Sequence, residues 1–171
     1  MRKRKILKVI TAGEGGVGKT TLLYRYVEDR FLADTKMTLG VDFFIKEVNI
    51  NGEKIELQVW DFGGQERFRP LLEDYSKGAR GALLLFDLTR PASLNGIEEW
   101  VDICRIRNPT IPILFLGTKL DLIDAITIED RYAAYFMYRY NFFKYLKISS
   151  KTGYNVNLAF EILTKEMIRN L

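Results

Sequence analysis

The sequence predicts an α/β domain: a mostly parallel six-stranded sheet with one antiparallel edge strand and helices on both faces. Three observations lead there. Strand-like and helix-like patterns alternate along the chain. One hairpin signal, Asn51-Gly52, joins two extended runs early on. Two unbroken apolar runs, Ala82–Phe86 and Ile113–Gly117, have the character of strands covered on both faces.

Taken in order, Ile6–Ala12 reads as the first strand and leads into a glycine-rich loop. Thr20 to about Phe31 reads as a helix, and Ala33–Thr38 as a polar connection. Val41–Ile50 and Lys54–Asp61 form the hairpin strands, and Ala82–Phe86 the fourth strand. Ser93 is expected to open a helix, because Leu94, Ile97, Trp100, Val101 and Cys104 recur at helical spacing before Pro109. Ile113–Gly117 is the fifth strand, Thr127 to about Tyr138 a further helix, and Phe142–Ile148 the last strand. Asn155 or Asn157 is expected to cap a final helix ending near Asn170. In such sheets ligands bind beyond the carboxyl ends of the strands.

The 171 residues suit one domain, residues 1–171, with 47% hydrophobic and 28% charged side chains. The net charge of +4 equals the contribution of Arg2, Lys3, Arg4 and Lys5, so the remainder is near neutral. This arm is read as a solvated leader, and no nucleic-acid partner is expected. The lone Cys104 excludes an internal disulfide and is read as packing, and the absence of histidine excludes His-based triads and metal sites. No run is long and apolar enough to span a membrane. The chain ends at Leu171 without a prenylation cysteine and lacks the glycine of a myristoylation start. A cytoplasmic monomer is expected, at most peripheral to membranes; whether the full-length protein carries a lipidated tail stays open.

Gly13-Glu14-Gly15-Gly16-Val17-Gly18-Lys19-Thr20 is a complete GxxxxGK[ST] phosphate loop between a strand and a helix, which predicts a P-loop three-layer sandwich. Glycines let backbone N–H groups of Gly15, Gly16, Val17 and Gly18 turn inward around phosphates, and the helix N-terminus adds a favourable dipole. Lys19 would reach the β- and γ-phosphates, and the Thr20 hydroxyl would bind Mg²⁺. Gly117-Thr118-Lys119-Leu120-Asp121 follows a buried strand. The Asp121 carboxylate can accept from guanine N1–H and its 2-amino group, which adenine cannot satisfy. The Lys119 stem can lie over the base, and Ser149-Ser150-Lys151 offers a backbone N–H to the 6-oxo group.

With these motifs the chain resembles the Ras superfamily of small GTPases, from first strand to last helix. Thr38-Leu39-Gly40-Val41-Asp42-Phe43 looks like switch I of the Rab branch, and Trp60-Asp61-Phe62-Gly63-Gly64-Gln65-Glu66-Arg67-Phe68 looks like switch II. Tyr75-Ser76-Lys77-Gly78-Ala79 and Phe86-Asp87-Leu88-Thr89-Arg90 also resemble Rab segments. Two details depart: Thr118 stands where Asn is usual, as in some Rho-branch relatives, and Gly63-Gly64 reads like the Arf branch. The first departure is expected to weaken the tether to the phosphate loop.

The resemblance implies a slow, Mg²⁺-dependent GTPase switch that cycles between GTP and GDP. A GTP-binding scaffold with negligible hydrolysis is the second reading. Thr21 and Phe31 would complete the nucleotide contacts, with Phe31 edge-on to guanine. Thr38 would offer its hydroxyl to Mg²⁺ and its N–H to the γ-phosphate, Asp61 would hold Mg²⁺ through water, and Gly64 N–H would bond the γ-phosphate. Gln65 would orient the attacking water. No arginine is assured as a finger, and Gly15 leaves a route open for one from a partner. Exchange factors, activating proteins and effectors would meet Thr38–Phe43, Trp60–Phe68 and Tyr75, with Phe43, Trp60 and Tyr75 as an aromatic trio or as plain core.

Overall fold

The computed structural model describes residues 4–36, 38 and 40–171; Arg2 and Lys3 of the basic arm and Leu39 of the Thr38–Phe43 segment lie outside the described residues. The sheet has strands β1 (Lys5–Ala12), β2 (Val41–Ile50), β3 (Glu53–Phe62), β4 (Gly81–Asp87), β5 (Ile113–Thr118) and β6 (Lys144–Lys147) in the order β2-β3-β1-β4-β5-β6. Only β2–β3 is antiparallel; β1 pairs in parallel with β3 and β4, and β4–β5 and β5–β6 are parallel. The hairpin turns at Asn51 (φ 52°) and Gly52 (φ 83°), the two positive values that a tight turn matched to strand twist requires.

Strand side chains alternate between two cores. Leu83 and Leu85 of β4 and Leu114 and Leu116 of β5 face α1 (Lys19–Glu28) and α5 (Val156–Arg169). Their neighbours Ala82, Leu84, Phe86, Ile113 and Phe115 face the other side, with α2 (Arg69–Tyr75), α3 (Ile97–Arg105) and α4 (Asp130–Tyr140). Every residue of β4 and β5 is buried, which explains their unbroken apolar character. Tyr26 and Phe160 stack with centroids 3.6 Å apart where α1 meets α5. Cys104 lies in the α3 core, and burial pushes its thiol up to about 12.

Two local expectations change. Ser93 does not cap α3; residues Pro91–Leu94 form a 3₁₀ turn, Asn95-Gly96 intervenes, and α3 begins at Ile97. The Ser93 hydroxyl instead accepts from Asp87 N–H (2.9 Å) and donates to the Arg90 carbonyl (2.7 Å), closing the turn after β4. Asn155 precedes α5 with φ 59° and makes no side-chain cap bond; its amide donates to the Lys147 carbonyl at 3.0 Å. Helix α2 is an additional element: Phe68, Leu71, Leu72 and Tyr75 stand at helical spacing and Pro70 lies in its first turn, but only Leu72 is buried. Of the basic arm, Arg4 reaches Glu47 and Glu56, and Lys5 reaches Glu53 at 2.8 Å. These pairs tie the start of β1 to the hairpin strands, and those to Glu47 and Glu53 are solvent-exposed and worth little.

Leu163 of α5 is fully buried and its Cδ1 closes on Gly81 at the start of β4. Leu163→Ala is expected to lower unfolding stability by about 2–5 kcal/mol, read from urea denaturation in the presence of saturating GDP.

Candidate functional site

The phosphate loop leaves β1 at Ala12 and enters α1 at Lys19. Gly13 has φ 139° and a Cβ there would run into the Leu85 carbonyl, while Gly16 (φ 76°) and Gly18 (φ 99°) also take left-handed backbone. Only glycine makes this tight path easily. Lys19 is 6% exposed and donates to the Gly13 (2.7 Å) and Glu14 (2.8 Å) carbonyls, so the loop curls around its ammonium. Burial lowers its pKa to about 8; Asp61 and Glu14 oppose that shift, and Arg69 and Arg90 reinforce it.

Asp61, at the carboxyl end of β3, is fully buried. Burial raises its pKa, against hydrogen bonds from Thr20 and Thr11 and the charge of Lys19. Thr20 Oγ1 donates to Asp61 Oδ2 at 2.6 Å and lies 2.6 Å from Thr38 Oγ1; Thr38 Oγ1 is 3.4 Å from the same carboxylate oxygen. Thr11 Oγ1 holds the other oxygen at 3.1 Å. Two hydroxyls and one carboxylate form a hard-oxygen set, which fits Mg²⁺ completed by water and substrate phosphates. Among the described residues no cluster of three His, Cys, Asp or Glu could hold a metal, so an all-carboxylate site is not an alternative there. A cavity of about 220 Å³ adjoins this set, lined by Gly15, Gly16, Gly18, Lys19, Thr20, Thr38 and Gly64 among others.

The Gly63-Gly64 pair has a steric cause. Gly63 N–H donates to Gly40 O at 2.7 Å, and a Cβ on Gly63 would sit 2.6 Å from the Thr38 carbonyl oxygen. A Cβ on Gly64 would sit 2.7 Å from the Gly15 Cα. The two predicted switch segments therefore close on each other and on the phosphate loop through backbone alone. Gln65 stands apart: its Oε1 accepts from Arg67 Nε at 2.9 Å, and it does not line either cavity described here.

A second cavity of about 650 Å³ continues from the loop, lined by Gly16, Val17, Gly18, Thr21, Phe31, Thr118, Lys119, Asp121, Ser150 and Lys151 among others. Phe31 stands half in solvent at its mouth, beyond the end of α1 rather than within the helix. Lys119 adopts φ 65°, and its ammonium pairs with Asp87 Oδ2 at 2.8 Å, which leaves the stem along the cavity wall. Burial pushes the Asp87 carboxyl up, but hydrogen bonds from Lys119 and Thr89 outweigh it and hold it below its ordinary value. Ser149 Oγ donates to Asp121 Oδ1 at 2.8 Å and orients that carboxylate. Thr118 Oγ1 donates to the Val17 carbonyl at 2.6 Å, with the Phe86 carbonyl 3.0 Å away. The tether to the phosphate loop is thus made through a hydroxyl, whose single proton serves one carbonyl at a time.

Several supporting residues have no local sequence signal. Arg25 of α1 donates to the Ser150 and Lys151 carbonyls, each at 2.7 Å, and braces that loop from 125 positions away. Arg69 at the start of α2 pairs with Glu14 (3.1 Å) and with Glu99, while Trp100 Nε1 donates to Glu14 at 3.3 Å. Asp87 is visible only as part of the Phe86–Arg90 match.

The Ras family model matches residues 8–169, nearly the whole chain. The chain belongs to the Ras family. It is a small GTP-binding protein and a GTPase, so it binds GTP and GDP. The chain is similar to Ras-related protein Rab7 of Drosophila melanogaster, 38% identical over 98% of this chain and 83% of the relative. It is also similar to Rab-8B of Bos taurus, 35% identical over 97% and 80%, and to Rab-19 of Xenopus laevis, 32% identical over 95% and 77%. This Ras-family chain is therefore Rab-like, as its switch motifs suggest. Among the described residues no helix is long and apolar enough to cross a membrane.

The Thr118–Val17 bond joins the two cavities of this GTPase. Thr118→Val keeps the shape, removes the donor and leaves a buried carbonyl short of a partner. GDP dissociation is expected to accelerate by roughly 5- to 13-fold, the kinetic equivalent of a lost hydrogen bond of about 1–1.5 kcal/mol, measured by release of a fluorescent GDP analogue.

Proposed function

We propose that residues 1–171 form one G domain acting as a Mg²⁺-dependent GTP switch in a Rab-like trafficking or signalling role. The observation that carries this reading is the convergence of a lysine cradle, a three-oxygen cation set and an oriented carboxylate along one continuous cleft. The same completeness, with family membership, leaves the non-hydrolysing scaffold without support.

In this reading Asp121, held by Ser149, accepts from guanine N1–H and the 2-amino group. Lys119 lies along one face of the base and Phe31 meets it edge-on. Backbone N–H groups of Gly15 to Thr20, with Thr21, bind the phosphates, and the Ser150 N–H takes the 6-oxo group while Lys151 closes the rim. Lys19 gives up its two carbonyl partners in part to meet the β- and γ-phosphates, which restores the charge that burial opposes. Thr20, Thr38 and, through water, Asp61 would hold Mg²⁺, which supplies charge neutralisation at the phosphate oxygens. Gly64 N–H and Thr38 N–H bond the γ-phosphate, and their release after hydrolysis loosens both switch segments. Gln65 leaves Arg67 and turns about its own side-chain bonds to orient the attacking water.

Partners that read the switch would meet Thr38–Phe43, Trp60–Phe68 and Tyr75. Supporting this, Phe43 and Tyr75 are about 40% exposed and flank Trp60, with centroids 5.0 and 5.6 Å from it. Phe43 and Tyr75 thus present aromatic surface, while Trp60 between them also packs against the core. Protein loaded with GTP is proposed to capture effectors that GDP-loaded protein does not.

Gln65→Leu is expected to retain GTP affinity and to slow single-turnover hydrolysis by roughly 10- to 100-fold, the effect of losing the water's positioning; unchanged turnover would remove Gln65 from the mechanism. Asp121→Asn is expected to shift preference from guanine toward xanthine nucleotides in a competition assay, and persistent guanine selectivity would refute the base-reading role.

A further inference from the structure

The cations around the phosphate loop are not equivalent. Lys19 is enclosed by loop carbonyls. Arg69 is paired with Glu14 and Glu99. Arg25 is spent on the Ser150–Lys151 loop, and Arg67 sits over the Phe68 ring with its Nε on Gln65. Lys36 lines the phosphate-side cavity from the Ala33–Thr38 connection. Arg90 is the arginine among these that bonds the loop backbone. It is exposed, makes no ion pair among the described residues, and bonds only the Gly15 carbonyl, at 2.7 Å.

Its base is rigid where its tip is not. Arg90 N–H donates to the Asp87 carbonyl at 3.0 Å, its own carbonyl accepts from Ser93 Oγ at 2.7 Å, and Pro91 restricts the next residue. From this anchored turn the guanidinium lies over the loop, with Nη1 3.5 Å from where a Cβ on Gly16 would stand. A side chain at Gly16 would meet it. Gly15 beside it is open, with nothing within 4 Å of where its Cβ would stand. Two cations, Lys19 and Arg90, thus flank the loop and repel one another through it. An anion with several oxygens relieves that repulsion, and a planar guanidinium suits phosphate oxygens.

We propose that Arg90 is the chain's own arginine for GTP hydrolysis: its guanidinium turns from the Gly15 carbonyl to the phosphate oxygens of bound GTP. This rests on the phosphate-loop assignment above. In the reaction a water oxygen bonds to the γ-phosphorus and the bond from that phosphorus to the β,γ-bridging oxygen breaks. The electron pair stays on GDP, and the water's protons leave with inorganic phosphate and solvent. Arg90 neutralises the charge that gathers on the leaving oxygens, a role elsewhere filled by an arginine supplied in cis or by a partner. Because the site of contact is open to water, the effect is smaller than for a fully enclosed finger.

The test compares wild type, Arg90→Ala and Arg90→Lys as full chains loaded with GTP, in single-turnover hydrolysis without any partner. GDP and GTP dissociation are measured alongside. Arg90→Ala is expected to slow hydrolysis by roughly 10- to 100-fold while GDP affinity stays within about three-fold of wild type. Arg90→Lys, which keeps the charge and loses the fork, is expected to fall between them. Hydrolysis unchanged in Arg90→Ala, whether or not dissociation of both nucleotides quickens, would overturn the proposal and reduce Arg90 to a brace on the loop. A wild-type chain that retains no guanine nucleotide would overturn the site assignment and this inference together. Wild-type turnover matched by Arg90→Ala would overturn this inference alone.

Discussion

A lysine ammonium and an aspartate carboxylate are buried together at the carboxyl ends of β1 and β3, and much of the architecture serves to keep both there. Each ion costs several kcal/mol to remove from water. Lys19 and Asp61 lower that cost mutually, but neither is satisfied by the other alone. The loop carbonyls of Gly13 and Glu14 take up the ammonium, and the hydroxyls of Thr11, Thr20 and Thr38 take up the carboxylate. The site therefore sets an ammonium and a carboxylate, each held by short-range partners, beside the cavity at the phosphate loop.

The second requirement is approach distance. Phosphate chemistry needs backbone N–H groups on several loops within reach of the same atoms, and any Cβ between them would keep them apart. Gly13 lets the loop pass over β4, Gly63 lets the two switch segments touch, and Gly64 lets the second of them meet Gly15. These glycines answer to contacts made by other parts of the chain, so their necessity shows only when those parts are in place. In the Gly63-Gly64 pair, which departs from the Rab pattern, a side chain on Gly63 would meet the Thr38 carbonyl.

The third requirement is that base and phosphate pockets keep a constant separation. Thr118 bonds Val17 across the join, Lys119 is pinned by Asp87, Asp121 by Ser149, and the Ser150–Lys151 loop by Arg25. Glu14 extends the network the other way, to Arg69 of α2 and Trp100 of α3. Partly buried pairs thus link the phosphate loop to α2 and α3. The aromatic cluster of Phe43, Trp60 and Tyr75 joins the ends of the two switch segments to the end of α2.

Strand order apart, the sequence alone determined most of the fold, because period-2 and continuous apolar runs report burial and Asn51-Gly52 reports a turn, all through local physics. It also determined the phosphate loop and the guanine-reading motif, where contiguous residues carry the whole chemistry. It misplaced the start of α3 and the cap of α5, since Ser93 and Asn155 found partners elsewhere, and α2 is so short that the helical spacing of Phe68, Leu71, Leu72 and Tyr75 does not stand out. Tertiary structure decided what sequence distance hides: the Thr118 tether, the Arg25 and Asp87 braces, and the setting of Arg90 over Gly15. Each is a single contact between residues far apart in the chain, and a long-range contact leaves no pattern for neighbouring residues to record.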